Sequence, residues 1–384
     1  MQIARWVGVI AVAASLAPAH AALARAPSMS CPSGARLIGD PPPRGDKQWC
    51  VVTDRDGHFV AHGPSREYYR SGGVHLAGTF DRGVRHGRWV EYEENGAIKV
   101  DSTWDHDVLD GPYVGFDDDG SRVEGSYAQG KRVGTWKIFD AGGELVAEGP
   151  YTRDARNGRW LIVGEDGSRA TGTYRAGRRT GPWTLRWPDG TKRAEGRFKD
   201  DARDGTWSEY DQSGRLAARG AYVDDERHGR WTLYGPGKAE STGRIVDGLR
   251  DGAWVEVAED GSRAEGRYAA DRRVGSWDRY DADGILVSRG AFAGSVPDGA
   301  WTYYYPDGKV RAEGGYVNGQ RVGVWTEYTT FGARGEGRYK DGHRDGRWVY
   351  FYPSGSKWSE GTYRRGEKQA DWQVWSEDGR VGTL

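Results

Sequence analysis

A Gly-x-Trp triplet returns every 23 or 24 residues along most of this chain, and that period leaves few folds open to it. It is seen at Gly87/Trp89, Gly134/Trp136, Gly158/Trp160, Gly181/Trp183, Gly205/Trp207, Gly229/Trp231, Gly252/Trp254, Gly275/Trp277, Gly299/Trp301, Gly323/Trp325 and Gly346/Trp348. Gly111/Tyr113 stands in for one copy, Ala370/Trp372 closes the series, and a degenerate copy opens it at Gly63. Later in each repeat comes Gly-x-aromatic, as at Gly125/Tyr127, Gly172/Tyr174, Gly196/Phe198 and Gly266/Tyr268. Between the two signatures lies a turn, most often Asp-Gly, as at Asp119-Gly120, Asp166-Gly167 and Asp189-Gly190.

Helix is excluded locally, because each interior glycine costs about 1 kcal/mol there and no apolar 3.6-residue period runs through the repeat. Asp-Gly between aromatic and β-branched segments is instead a hairpin signal. A lone hairpin is marginal in water, so neighbouring copies must bury the aromatics. The expected fold is all-β: an elongated single-sheet antiparallel β-meander of tandem hairpins, with Trp near Trp from copy to copy. At about 4.8 Å per strand, some 28 strands would extend roughly 130 Å if flat, as a rod or curved strip. Trp207 and Tyr210, Trp231 and Tyr234, and Trp301 and Tyr304 are each three apart, which on a regular strand sends them to opposite faces. Either both faces are aromatic, or a bulge keeps both rings in the core.

The first residues read differently. Residues 1–21 carry Arg5, an apolar run from Trp6 to Leu16 and a small-x-small site at Ala19-His20-Ala21, the pattern of a cleaved secretory signal peptide. Residues 22–62 are expected to be a linker and capping segment, with the repeats over 63–384. Cys31 and Cys50 are the only cysteines, and in an oxidising compartment they should pair. The predicted location is therefore periplasmic or secreted. With 55 Lys+Arg against 56 Asp+Glu the net charge is −1, which disfavours nucleic acid as a partner. A mean hydropathy of −0.80 leaves no transmembrane segment after processing.

The pattern of Gly205-Thr206-Trp207-Ser208-Glu209-Tyr210 through Gly220-Ala221-Tyr222 resembles the MORN repeat in its bacterial variant form, over roughly Gly63 to Leu384. The resemblance implies β-hairpin repeats used for scaffolding, protein contacts and proposed lipid contacts. Bacterial variant members are often labelled antitoxins, whose pairs normally act in the cytoplasm. The Cys31 to Cys50 loop has no counterpart in the family pattern.

Sites of chemistry are scarce. No Gly-x-Ser-x-Gly elbow, Walker loop or His-Glu-x-x-His motif occurs, so no catalytic, cofactor-binding or metal residues are expected. His58 and His62 lack a matching ligand cluster; His86, His228 and His343 read as loop residues beside Gly-x-Trp. Asp117-Asp118-Asp119-Gly120 reads as turn chemistry rather than a calcium loop. Glu195 and Glu265 are repeat equivalents, not a hydrolytic pair. Arg85, Arg132, Arg156, Arg179, Arg203, Arg227, Arg250, Arg273, Arg321 and Arg344 recur just before a strand-opening glycine and are expected to line one sheet edge, diluted by Asp201, Asp225 and Asp251. The reading that results is an exported non-enzymatic scaffold for an unknown protein or envelope polymer. The alternatives are an antitoxin-like inhibitor and an envelope glycan- or lipid-binding protein.

Overall fold

The computed structural model describes residues 28–382, so the segment read as a secretory leader lies outside the described residues. No helix occurs among them, and the strands form antiparallel meanders. The chain divides into two compact units, one running to Lys192 and including Phe198–Asp201, the other comprising Arg193–Arg197 and residues from Ala202 on. In each unit, strands next to each other in sequence pair with each other, as Ala202–Tyr210 pairs with Leu216–Val223 and that strand with Glu226–Tyr234.

Two kinds of turn alternate. The Asp-Gly pairs end four-residue loops: at Asp117–Gly120 the Gly120 N–H donates to the Asp117 carbonyl, and Gly120 takes φ +89°. Asp119 Oδ1 accepts the Ser121 N–H at 2.8 Å, so these carboxylates serve the turn. The tight two-residue turns fall elsewhere, at pairs such as His106-Asp107, Asp200-Asp201 and Asp224-Asp225, where both residues have positive φ. That geometry matches the right-handed twist of the flanking strands, and Asp tolerates it better than branched residues do. Asp201 and Asp225 are thus turn residues rather than interruptions of an arginine row.

A bulge precedes the tryptophan in the Gly-x-Trp copies. Gly220 lies opposite Trp231 but Ala221 opposite His228, so Gly229 and Arg230 are extra residues against that neighbour; Gly229 has φ +75°. Toward the following strand the pairing is regular through Tyr234. Trp231 and Tyr234 therefore do occupy opposite faces, and the bulge lies before the tryptophan, not between the two rings. The choice between a bulge and two aromatic faces was a false one.

The described part of the segment expected to be a linker and capping segment contains strands that pair with the repeats. Arg36–Ile38 pairs with Lys47–Thr53, which pairs with Phe59–Tyr68. Cys31 and Cys50 are disulfide-bonded, and Cys50 and Pro32 pack against Gly63, in the copy where Ser65 stands in the place of the tryptophan. Cys50 is fully buried. Thiol titration of the purified chain should accordingly find no reactive cysteine until it is both denatured and reduced; two reactive thiols in native material would contradict the bond.

Candidate interaction faces

One face of each unit is a ladder of tryptophans seated on glycines. Trp231 lies flat on Gly220, eleven residues earlier and directly opposite: a Cβ built on Gly220 would be 2.2 Å from Trp231 Cδ2. The same eleven-residue relation holds for twelve tryptophans among the described residues, from Gly78/Trp89 to Gly361/Trp372. No larger residue fits under the indole. The Trp231 Nε1–H donates to the Ala221 carbonyl at 2.9 Å, and Trp325 Nε1–H to that of Gly315 at 3.1 Å, each acceptor lying at the bulge. The bulge thus supplies the acceptor that a buried indole needs.

Rings of the returning strands complete the ladder edge-on, as Tyr222 meets Trp231 at 5.2 Å and 87°. Trp89, Trp136, Trp160, Trp183, Trp207, Trp231, Trp254, Trp277, Trp301, Trp325 and Trp348 are all buried. They are core, and the binding surface must be sought elsewhere.

The arginines expected along an edge lie over this ladder instead. Arg227 sits 4.3 Å from the Trp231 ring centre and Arg321 4.1 Å from that of Trp325, a cation–π arrangement. Arg227 also bonds Glu209 at 2.5 Å, and Glu209 accepts the Tyr222 hydroxyl. Glu256 with Tyr268 and Arg273, and Glu327 with Tyr339 and Arg344, repeat that triad. The turn aspartates tie down others: Asp154 Oδ1 accepts the Arg132 N–H at 2.9 Å, a bond that holds its carboxyl below the usual range. A row of neutralised guanidiniums is poorly suited to docking an acidic polymer.

Where the glutamate is replaced by Tyr303, its hydroxyl pairs with that of Tyr316 at 2.9 Å. Burial, and then that bond, pushes the Tyr303 phenol up to about 12. Because an unfolded tyrosine ionises near about pH 10, the stabilisation is complete below that pH and is lost as pH rises toward the folded value. Denaturation midpoints should fall over this window, and Tyr303→Phe should blunt the fall; an identical profile in the variant would contradict the assignment.

The opposite face carries the second set of rings and the exposed charges. Tyr210 and Tyr280 donate to Glu195 and Glu265, which are thereby engaged in structure. Arg289 grips Asp278 across the strands at 2.6 Å. Arg230 and Arg244, both exposed, stand directly opposite each other, with no ion pair to either among the described residues. Beside them opens a cavity of about 370 Å³ whose lining includes Arg230, Glu240, Thr242, Ala253, Val255 and Val257.

The histidines read as loop residues are strand residues: His86 lies in Val84–Tyr92, His228 in Glu226–Tyr234 and His343 in His343–Phe351. His58 and His62 are not brought together; they face Asp54 and Asp81 respectively. His86 and His106 do converge, on Asp105, an association that sequence spacing alone concealed because His106 belongs to a turn.

The model of the MORN repeat variant matches four segments, residues 85–106, 132–152, 297–318 and 344–365. Each is one tryptophan-bearing strand with its returning strand. The chain is a MORN-repeat protein. The TCP10 domain of Danio rerio CPAP in complex with a peptide of Danio rerio STIL aligns at 15% identity and a TM-score of 0.20, covering 66% of this chain and 96% of that one. The same domain alone aligns at 14% and 0.23, covering 65% and 99%. No curated protein matches the chain.

Proposed function

We propose that this protein is an exported, non-enzymatic β-repeat scaffold that binds a partner protein through the sheet face opposite the tryptophans. The observation that carries the reading is the Arg230/Arg244 pair. Like charges directly opposite in a sheet destabilise it, so the pair is costly to the free fold, and an acidic segment of a partner would offset that cost. The adjoining cavity, lined in part by Ala253, Val255 and Val257, would take an apolar side chain flanking the acidic residues. The tryptophan face is sealed by its own rings and guanidiniums and offers little to a ligand. The paired Cys31 and Cys50 fit an oxidising compartment.

Cell fractionation with mass determination of the mature chain tests export; cleavage after Ala21 is expected, and an intact leader on cytoplasmic material would refute it. Cross-linking in the envelope fraction tests the face. Arg230→Glu with Arg244→Glu should abolish capture of the partner band while Asp224→Asn, at a turn, leaves it unchanged. Equal capture by both would remove this face from the account, and a cross-linked species resistant to protease would indicate an envelope polymer.

A further inference from the structure

We propose that His86, Asp105 and His106 bind one divalent transition-metal ion on the surface of the first unit. The histidines address the same carboxylate oxygen: His86 Nδ1 lies 3.2 Å and His106 Nδ1 2.7 Å from Asp105 Oδ1. One donor atom from each of the three residues can be chosen so that all lie within 4.8 Å of one another. Donors bound tetrahedrally at about 2.0–2.2 Å stand roughly 3.4 Å apart, so small rotations of exposed rings would close the set on an ion. The His86 and His106 rings meet at 6.0 Å, near enough for both to serve it.

The repeat does not require these residues. The position of His86 is filled elsewhere by Val133 or Asn157, that of Asp105 by Ala128 or Thr152, and that of His106 by Gln129 or Arg153. Three independently variable positions carry ligand-type side chains in one copy, side by side. Arg85 is engaged elsewhere, bonding Asp107 at 3.1 Å and lying 3.5 Å from the Trp104 ring centre, while Asp105 pairs with the two histidines.

Two imidazoles and one carboxylate select zinc, copper or nickel over calcium or magnesium, which prefer oxygen shells. Each coordinating nitrogen releases its proton or is already bare, and the exposed setting leaves the remaining positions to water.

Calorimetric titration of the tag-free chain with ZnCl2 should show one ion per chain, and MgCl2 should give no heat. His86→Ala and Asp105→Asn should each weaken zinc by about tenfold or more, a loss at least as large as that from disturbing an outer-shell partner. His228→Ala, which removes a histidine from the same repeat position in a copy where Val246 stands in the place of Asp105, should leave affinity unchanged. In the unaltered chain, zinc should shift the imidazole nitrogen resonances of His86 and His106 and not those of His228, a readout that needs no variant to fold. Absence of zinc uptake, uptake that survives both substitutions, or unshifted His86 and His106 resonances would overturn the proposal.

Discussion

Replacing Trp231 with alanine is expected to lower the unfolding free energy by about 3–5 kcal/mol, and by more than the same change at Trp372. Trp231 is 0% exposed, lies on Gly220, meets Tyr222 edge-on, carries Arg227 on its ring and gives its indole hydrogen to a backbone carbonyl. Alanine leaves a cavity that neither the glycine beneath nor the strand pairing can fill, and it strands the Ala221 carbonyl. Trp372 sits on Gly361, is only half-buried and has no acceptor for its Nε1 among the described residues. In a repeat stack a terminal unit contributes one interface instead of two. Urea denaturation of the two variants makes the comparison; equal, small losses would mean that these rings are surface groups.

A second large effect is expected at adjacent glycines. An alanine Cβ at Gly314 would fall 2.3 Å from Trp325 Cδ2, within the ring itself, whereas at Gly315 the nearest atom is the Val322 carbonyl oxygen at 3.6 Å. Neither glycine has positive φ, so backbone strain does not distinguish them. Gly314→Ala must displace the indole and its hydrogen bond, costing about 3 kcal/mol, the upper end for overpacking. Gly315→Ala should be neutral or stabilising by a few tenths of a kcal/mol, since it restricts the unfolded chain. Thermal melts of the pair would show the contrast, and matched melting temperatures would contradict it.

Much of this architecture was legible in the sequence. The period of Gly-x-Trp, with turns between, was enough for hairpins and for mutual burial of the tryptophans, and the isolated cysteines were enough for their bond. What escaped was register. Gly220 and Gly229 look alike in sequence, yet one is a seat without positive φ and the other a bulge with φ +75°; only the eleven-residue offset to Trp231 separates them, and it crosses the strand pair. Asp224-Asp225 forms the tighter turn, with both φ values positive, yet in sequence Asp-Gly is the stronger signal. The spacing of the arginines says nothing of side-chain direction, and the long side chain of Arg227 folds back over Trp231 instead of lining an edge. His86 and Asp105 are nineteen residues apart and meet only because their strands pair.

Hydrogen exchange at the indole nitrogens tests the seating of the tryptophans most directly. The account predicts that the Nε1 hydrogens of Trp231, Trp254, Trp325 and Trp348, each bonded to a backbone carbonyl ten residues earlier, exchange only with unfolding of the surrounding repeats. Those of exposed Trp358 and unbonded Trp372 should exchange far sooner. Rapid exchange at Trp231 and Trp325 in the folded protein would contradict it, because rings free to meet water there could not be the core that holds the glycine-rich strands together.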